Sequence, residues 1–108
     1  LISLRLLKTK ERYTSFSLLG HAPTSLGKMG ENLLCAGVSA LSQSCFLYLQ
    51  KKELLREVTW QKGKLEFEIS SPCLESEVAL DILLTGMQDL KKQYPEWIDI
   101  YIGEENGT

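Results

Sequence analysis

The sequence is poor in the residues that many small-protein chemistries require. Of its 108 residues only three are cysteine and only one is histidine. Cys35, Cys45 and Cys73 form no CxxC pair and no Cys/His spacing of a zinc site, so neither a disulfide framework nor a metal site is indicated. Free thiols in a reducing compartment are expected, and with them a cytoplasmic location. Positive charge is not in excess either, since twelve basic residues against fourteen acidic ones leave a formal charge of −2. No electrostatic footprint for direct nucleic-acid binding is visible. The apolar opening from Leu1 to Leu7 is interrupted by Arg5 and is too short for a signal peptide or a membrane span, so no membrane association is expected. A GxxxxGK(S/T) phosphate loop is missing, as are internal repeats and linker-like tracts.

What is present fits one globular domain over residues 1–108, with 44% hydrophobic and 24% charged residues. Ile2, Leu4 and Leu6 alternate with polar residues, and so do Thr14, Phe16 and Leu18 with Ser15 and Ser17, which predicts a hairpin around the charged turn Lys8 to Arg12. Gly20 to Gly30, GHAPTSLGKMG, has no hydrophobic period and reads as a long loop. From Asn32 to about Leu55 the spacing of Leu34, Val38, Leu41, Cys45 and Tyr48 predicts a helix. Val58 to Gln61 and Leu65 to Ile69 read as a second hairpin around Lys62-Gly63. Ser71-Pro72 signals a second helix whose apolar set is Leu74, Val78, Ile82, Leu83, Met87, Leu90 and Tyr94, stopped by Pro95. Trp97 to Ile102 alternates as a last strand, and Gly103 to Thr108 reads as a frayed tail. The fold class is therefore α/β of the α+β type, ββαββαβ, with two helices packed on one face of a mainly antiparallel sheet. The sheet's other face, or an edge, is left for self-association.

One constellation carries chemistry. With Asn32 as helix cap, Cys35 falls at the third helical residue, where unpaired N–H groups and the positive end of the helix dipole stabilise a thiolate. His21 lies in the loop before that helix, placed to fold back as general base to the thiol and then as acid to a leaving amine. Backbone N–H groups around Gly30 and Cys35 are candidates to receive an oxyanion. Ser39 lies one turn further along the face that carries Cys35 and lines the same site.

Gly20-His21-Ala22, a gap of seven residues, and then Gly30-Glu31-Asn32-Leu33-Leu34-Cys35-Ala36-Gly37-Val38-Ser39-Ala40 resemble the signature of the ribosomal-processing cysteine proteases called Prp. The resemblance implies a compact α/β homodimer without cofactor or metal. It implies an endopeptidase that removes the N-terminal extension of large-subunit ribosomal protein twenty-seven during ribosome assembly, with His21 and Cys35 as the catalytic pair. The ribosomal protein's N-terminal peptide is then the substrate, and Gly20, Gly30, Asn32 and Ser39 support the site. Members usually carry aspartate where this chain has Asn32; asparagine caps helices as well as aspartate does and orients the catalytic histidine of papain-like enzymes.

Other readings stand beside these. Cys45 falls on the apolar stripe and is expected to be a core residue. Cys73, in the first turn of the second helix, has no histidine near it in sequence. Glu75, Glu77 and Asp81 read as a solvated face, or as an acidic surface that attracts a basic ribosomal tail. The alternative function is a catalytically weak or inactive dimeric module that binds a ribosomal protein tail or an assembly factor.

Overall fold

A computed structural model describes residues 1–20 and 27–105, the side chains of 27–32 excepted. The elements run β1 (Ile2–Thr9), β2 (Arg12–Gly20), α1 (Gly27–Lys51), β3 (Leu55–Gln61), β4 (Lys64–Ile69), α2 (Leu74–Gln93) and β5 (Ile98–Glu104). The five strands form one sheet in the order β3-β4-β2-β1-β5. Every neighbouring pair is antiparallel except β1 with β5, which is parallel and joined through the α2 side of the chain. The expected order and sheet type are thus observed.

Period-two patterning decides which face is buried. The register stacks Leu6 on Phe16, Phe16 on Phe67, Leu18 on Leu65 and Ile2 on Ile98. These side chains meet Leu34, Val38, Phe46 and Leu49 of α1 and Leu80, Leu83 and Met87 of α2 in a single core. The Phe16 and Phe67 rings stack at 4.5 Å between centroids and 7° between planes. On the opposite face Ser17 donates to Glu66 at 2.8 Å, and Arg56 pairs with Glu68 at 3.0 Å.

The helices touch through reciprocal small-to-large contacts. A Cβ on Gly86 of α2 would stand 2.7 Å from both methyls of Leu41, and one on Gly37 of α1 would stand 3.3 Å from those of Leu90. Glycine at both points lets each leucine settle against the other helix backbone. Tyr13 ties the first hairpin to α2: its N–H donates to Glu77 Oε1 and its hydroxyl to Asp81 Oδ1, each at 2.5 Å. Burial first, then the bond to Asp81 and the charges of Asp81 and Glu77, holds the Tyr13 proton well above the usual phenol range.

Several boundaries differ from the sequence expectation. The first turn is only Lys10-Glu11, both with positive φ (52° and 68°), the backbone a two-residue hairpin demands even without glycine. Helix α1 starts at Gly27 and not at Asn32, and it ends at Lys51 and not near Leu55. Lys28, Met29 and Glu31 are good helix formers, and a helical glycine costs only about 1 kcal/mol, which explains how helix replaces loop there. Cys73, not Ser71, is the N-cap of α2, with Ser76 Oγ accepting the Cys73 N–H at 3.0 Å. The tail assignment is corrected too: Gly103 and Glu104 belong to β5, and Glu105 donates its N–H to the Lys8 carbonyl and accepts from the Thr14 hydroxyl. Residues 106–108 lie outside the described residues.

The expected core faces of the helices need revision. On α2 Leu83 and Met87 are buried and Leu90 and Tyr94 pack against the core as expected, but Leu74, Val78 and Ile82 are exposed, and Ser76 and Leu80 are buried in their stead. Phe46 and Leu49 take the core role on α1, while Tyr48 is exposed. The stretch Leu33–Lys51 is long and apolar enough by composition to span a bilayer; here its apolar residues divide between the core and an outer groove against α2.

Phe67→Ala is expected to lower stability by about 3–5 kcal/mol, because it removes the stack on Phe16 and leaves a cavity under α1. The denaturant midpoint measured against the unsubstituted chain checks this.

Candidate active site

A cleft of about 300 Å³ opens where the end of β2, the middle of α1 and the β3–β4 turn converge. Its walls include Gly20, Cys35, Ser39, Ser42, Trp60 and Gly63. Three of the site residues named from sequence, Gly20, Cys35 and Ser39, therefore meet on one surface. Cys35, Ser39 and Ser42 fall on one stripe of α1 at i, i+4 and i+7. Ser42 is buried, and its hydroxyl donates to the Val38 carbonyl at 2.8 Å, which holds that turn of the helix rigid behind the cleft.

Gly20 shapes the rim. Its φ is +101°, and a Cβ there would collide with the carbonyl oxygen of Leu1, so only glycine fits both the backbone conformation and the space. Its N–H donates to the Gly63 carbonyl at 2.9 Å, which fastens the end of β2 to the β3–β4 turn. The chain leaves the described structure immediately after this point, with His21 as the next residue. His21 itself lies outside the described residues, and so do the side chain of Asn32 and the rest of the expected loop up to 26.

Two details of the expected site are corrected. Asn32 is an interior residue of α1 and not its cap, and Cys35 is the ninth helical residue, beyond the first turn where unpaired N–H groups gather. The Cys35 N–H is accordingly committed to the intrahelical ladder and is not free to receive an oxyanion. Gly30 lies in the first turn of α1. Side-chain donors are at hand in the cleft, Ser39 and Gln43 on α1 and Lys62 on the turn.

The other thiols sit in different surroundings. Cys45 is buried in the core as expected, its Sγ 3.7 Å from the Ala79 carbonyl, and burial pushes its thiol up to about 12. Cys73 caps α2 and does not line the cleft. The acidic set on α2 is absent from the cleft walls as well, and Glu77 and Asp81 are occupied by Tyr13, so the structure gives no support to an acidic surface leading to Cys35. Among the described residues no group of three His, Cys, Asp or Glu side chains is arranged to hold a metal ion.

Sequence reasoning missed Trp60, Lys62, Gln43 and Ser42. The last two were legible, since i+7 and i+8 from Cys35 return to the same helical face. Trp60 and Lys62 reach the site only because the expected β3–β4 hairpin docks beside β2, a pairing that no local pattern announces.

A family model for the cysteine protease Prp matches residues 1–99. The chain belongs to the Prp family. Prp-like architecture also recurs in solved structures. SMU.848 from Streptococcus mutans superposes with a TM-score of 0.75 at 21% identity, covering 97% of this chain and 96% of that one. The ribosomal processing protease Prp from S. aureus, solved with a covalently linked product peptide, gives 0.78 at 19% identity over 94% and 99% of the two chains. The same S. aureus protein with a substrate peptide gives 0.73 at 18% identity over the same shares. At these identities the likeness speaks for the fold. The sequence matches none of the curated proteins.

The raised Cys45 pKa makes a signed prediction. Below the ordinary thiol value of 9.0 both folded and unfolded chains keep the proton, and the burial of the neutral thiol contributes fully. Between 9.0 and about 12 the unfolded chain releases a proton that the folded chain holds, so stability falls as pH rises, by up to about 1.4 kcal/mol per pH unit. Cys45→Ala should flatten that slope relative to the parent chain in urea titrations at pH 9 to 10; an unchanged slope refutes the assignment.

Proposed function

We propose that this Prp-family chain is a cysteine endopeptidase that removes the N-terminal extension of large-subunit ribosomal protein twenty-seven during ribosome assembly in the cytoplasm. One observation carries the reading: Gly20, Cys35 and Ser39 meet on a single cleft, at whose rim the chain passes directly into His21. Cys35 Sγ attacks the carbonyl carbon of the scissile peptide, and His21 takes the thiol proton and returns it to the departing amine. Water then hydrolyses the acyl-enzyme with His21 as base, releasing the new C-terminal carboxylate and restoring the thiol. The S. aureus relative held a substrate peptide in one structure and a covalently linked product peptide in another, which supports peptide chemistry in this fold.

A homodimer is part of the proposal. Exposed apolar residues occur on the sheet, as at Leu19 and Tyr101, and on the helices, where Leu74, Val78 and Ile82 form a ridge at i, i+4 and i+8 of α2. Beside it runs an apolar groove of about 580 Å³ lined by Leu41, Tyr48, Val78 and Ile82 among others. A ridge flanked by a groove is self-complementary about a two-fold axis. Ile82→Asp is expected to convert a particle of twice 12.2 kDa into one of 12.2 kDa in sedimentation equilibrium, and a parent chain that sediments as a monomer refutes the dimer.

The second reading, a catalytically weak module that binds the same ribosomal tail, is favoured by Asn32 in place of aspartate and by the depth of Cys35 within α1. Cleavage of a peptide spanning the extended N-terminus of the host's ribosomal protein twenty-seven separates the two. The protease reading expects turnover by the parent chain, its loss in Cys35→Ala, and a drop of roughly 10²–10⁴-fold in His21→Ala. Binding without cleavage selects the module. Iodoacetamide labelling near neutral pH adds an independent check: an enzyme should lose Cys35 first, with Cys45 protected until unfolding.

A further inference from the structure

We propose that the outer edge of β5 docks a basic, extended polypeptide segment, which adds to the sheet as a further strand beside Ile98–Glu104. The inference goes beyond the protease reading and does not depend on cleavage. The sheet has two edge strands, β3 and β5, and they are built differently. β3 breaks register with β4 between Arg56 and Thr59, and Glu57 within the break has a positive φ of 54°, so that edge is bulged and a poor template for another strand. β5 keeps an unbroken register along β1, from Ile98 opposite Ile2 to Glu104 opposite Lys8, and it contains no proline or lysine. The usual defences of an edge are missing there. The Trp97 carbonyl accepts the Ile2 N–H, and the Glu105 N–H donates to the Lys8 carbonyl, so odd-numbered residues turn their backbone groups toward β1. By the alternation of a strand, the N–H and C=O groups of Ile98, Ile100, Ile102 and Glu104 point outward, where no described strand receives them.

The charge of this edge selects the partner. From Gln93 to Thr108 the chain carries Glu96, Asp99, Glu104 and Glu105 and no lysine or arginine. All four carboxylates are on exposed residues, and among the described residues none of them is in an ion pair. Glu105 accepts the Thr14 hydroxyl, and the two cations of β1, Arg5 and Lys8, lie over the rings of Tyr101 and Tyr13. A second copy pairing through the same edge would set this row of carboxylates against its equal, and like charges across paired strands repel. Nucleic acid is repelled for the same reason. A basic strand gains the backbone hydrogen bonds and the charge complementarity together. The faces sort its side chains as well. Ile100 and Ile102 share the helix side with Ile98, and Ile102 is 44% exposed, so an apolar neighbour is favoured there; Asp99 lies on the outer face and favours lysine or arginine. The segment that fits therefore alternates apolar and basic residues.

Fluorescence anisotropy of the intact chain with a labelled peptide of roughly eight residues that alternates lysine with valine tests this. Binding is expected to weaken as salt rises, and to be about 10-fold weaker or worse when glutamate replaces lysine. Ile102→Pro deletes one outward N–H while sparing the ladder to β1, and should lower affinity about 10-fold. Asp99→Lys/Glu104→Lys should invert the preference, so that the glutamate peptide binds better than the lysine peptide. An unchanged thermal melting curve shows that these variants are folded, and if Ile102→Pro is not, the charge variant alone decides. No binding, equal binding of the two peptides, or parent behaviour in the folded variants overturns the proposal. So does a parent dimer in sedimentation equilibrium that Ile102→Pro dissociates, because a second copy then occupies the edge. Cys35→Ala should bind as the parent does, whether or not the parent cleaves anything; binding lost in that variant places the peptide in the cleft and overturns the edge.

Discussion

The pairing of Phe16 with Phe67 at the middle of the sheet fixes everything that follows from it. With the two rings stacked, the register of β2 against β4 is set, Leu18 must face Leu65, and the end of β2 arrives beside the β3–β4 turn. A slip by one residue would send each of these apolar side chains to the opposite face, at a cost no loop could offset. The hydrogen bond from Gly20 to Gly63 is the last rung of that alignment, and it is also the rim of the cleft. Core packing and site geometry are thus two readings of one register.

Helix α1 carries three surfaces at once. Leu34, Phe46 and Leu49 face the sheet, Cys35, Ser39 and Gln43 face the cleft, and Leu41 and Tyr48 face α2 and the outer groove. A rod packed on one side against aromatic rings and on another against a glycine-notched neighbour has little freedom to rotate. The stem that carries Cys35 is therefore rigid.

The strands and their order were legible in the sequence because alternation of Ile2, Leu4 and Leu6, of Leu65, Phe67 and Ile69, and of Thr14, Phe16 and Leu18 has no helical counterpart. The motif around Gly20 and Cys35 was legible through its resemblance to the Prp signature, and the structure supplies a physical reason at Gly20, where no Cβ fits. The start of α1 was not, since glycines at 27 and 30 mimic a loop and mask the good helix formers Lys28 and Met29 between them. The α2 stripe was misread for a different reason: Leu74, Val78 and Ile82 make as regular an apolar row as the true core row, and spacing alone does not distinguish a row that faces the sheet from one that faces outward. Trp60 joined the site through tertiary contact only.

The collision that reserves position 20 for glycine involves the carbonyl of Leu1, and Ile2 is itself a wall of the cleft. Anything joined ahead of Leu1 thus departs from the fold next to the cleft. The other terminus behaves differently, because β5 runs parallel to β1 and finishes against Lys8, about 20 Å away along the strand. Affinity handles, fluorophores and fusion partners are accordingly not equivalent ahead of β1 and after β5: the first position adjoins the cleft, and β5 ends at Glu104, far from it along the sheet.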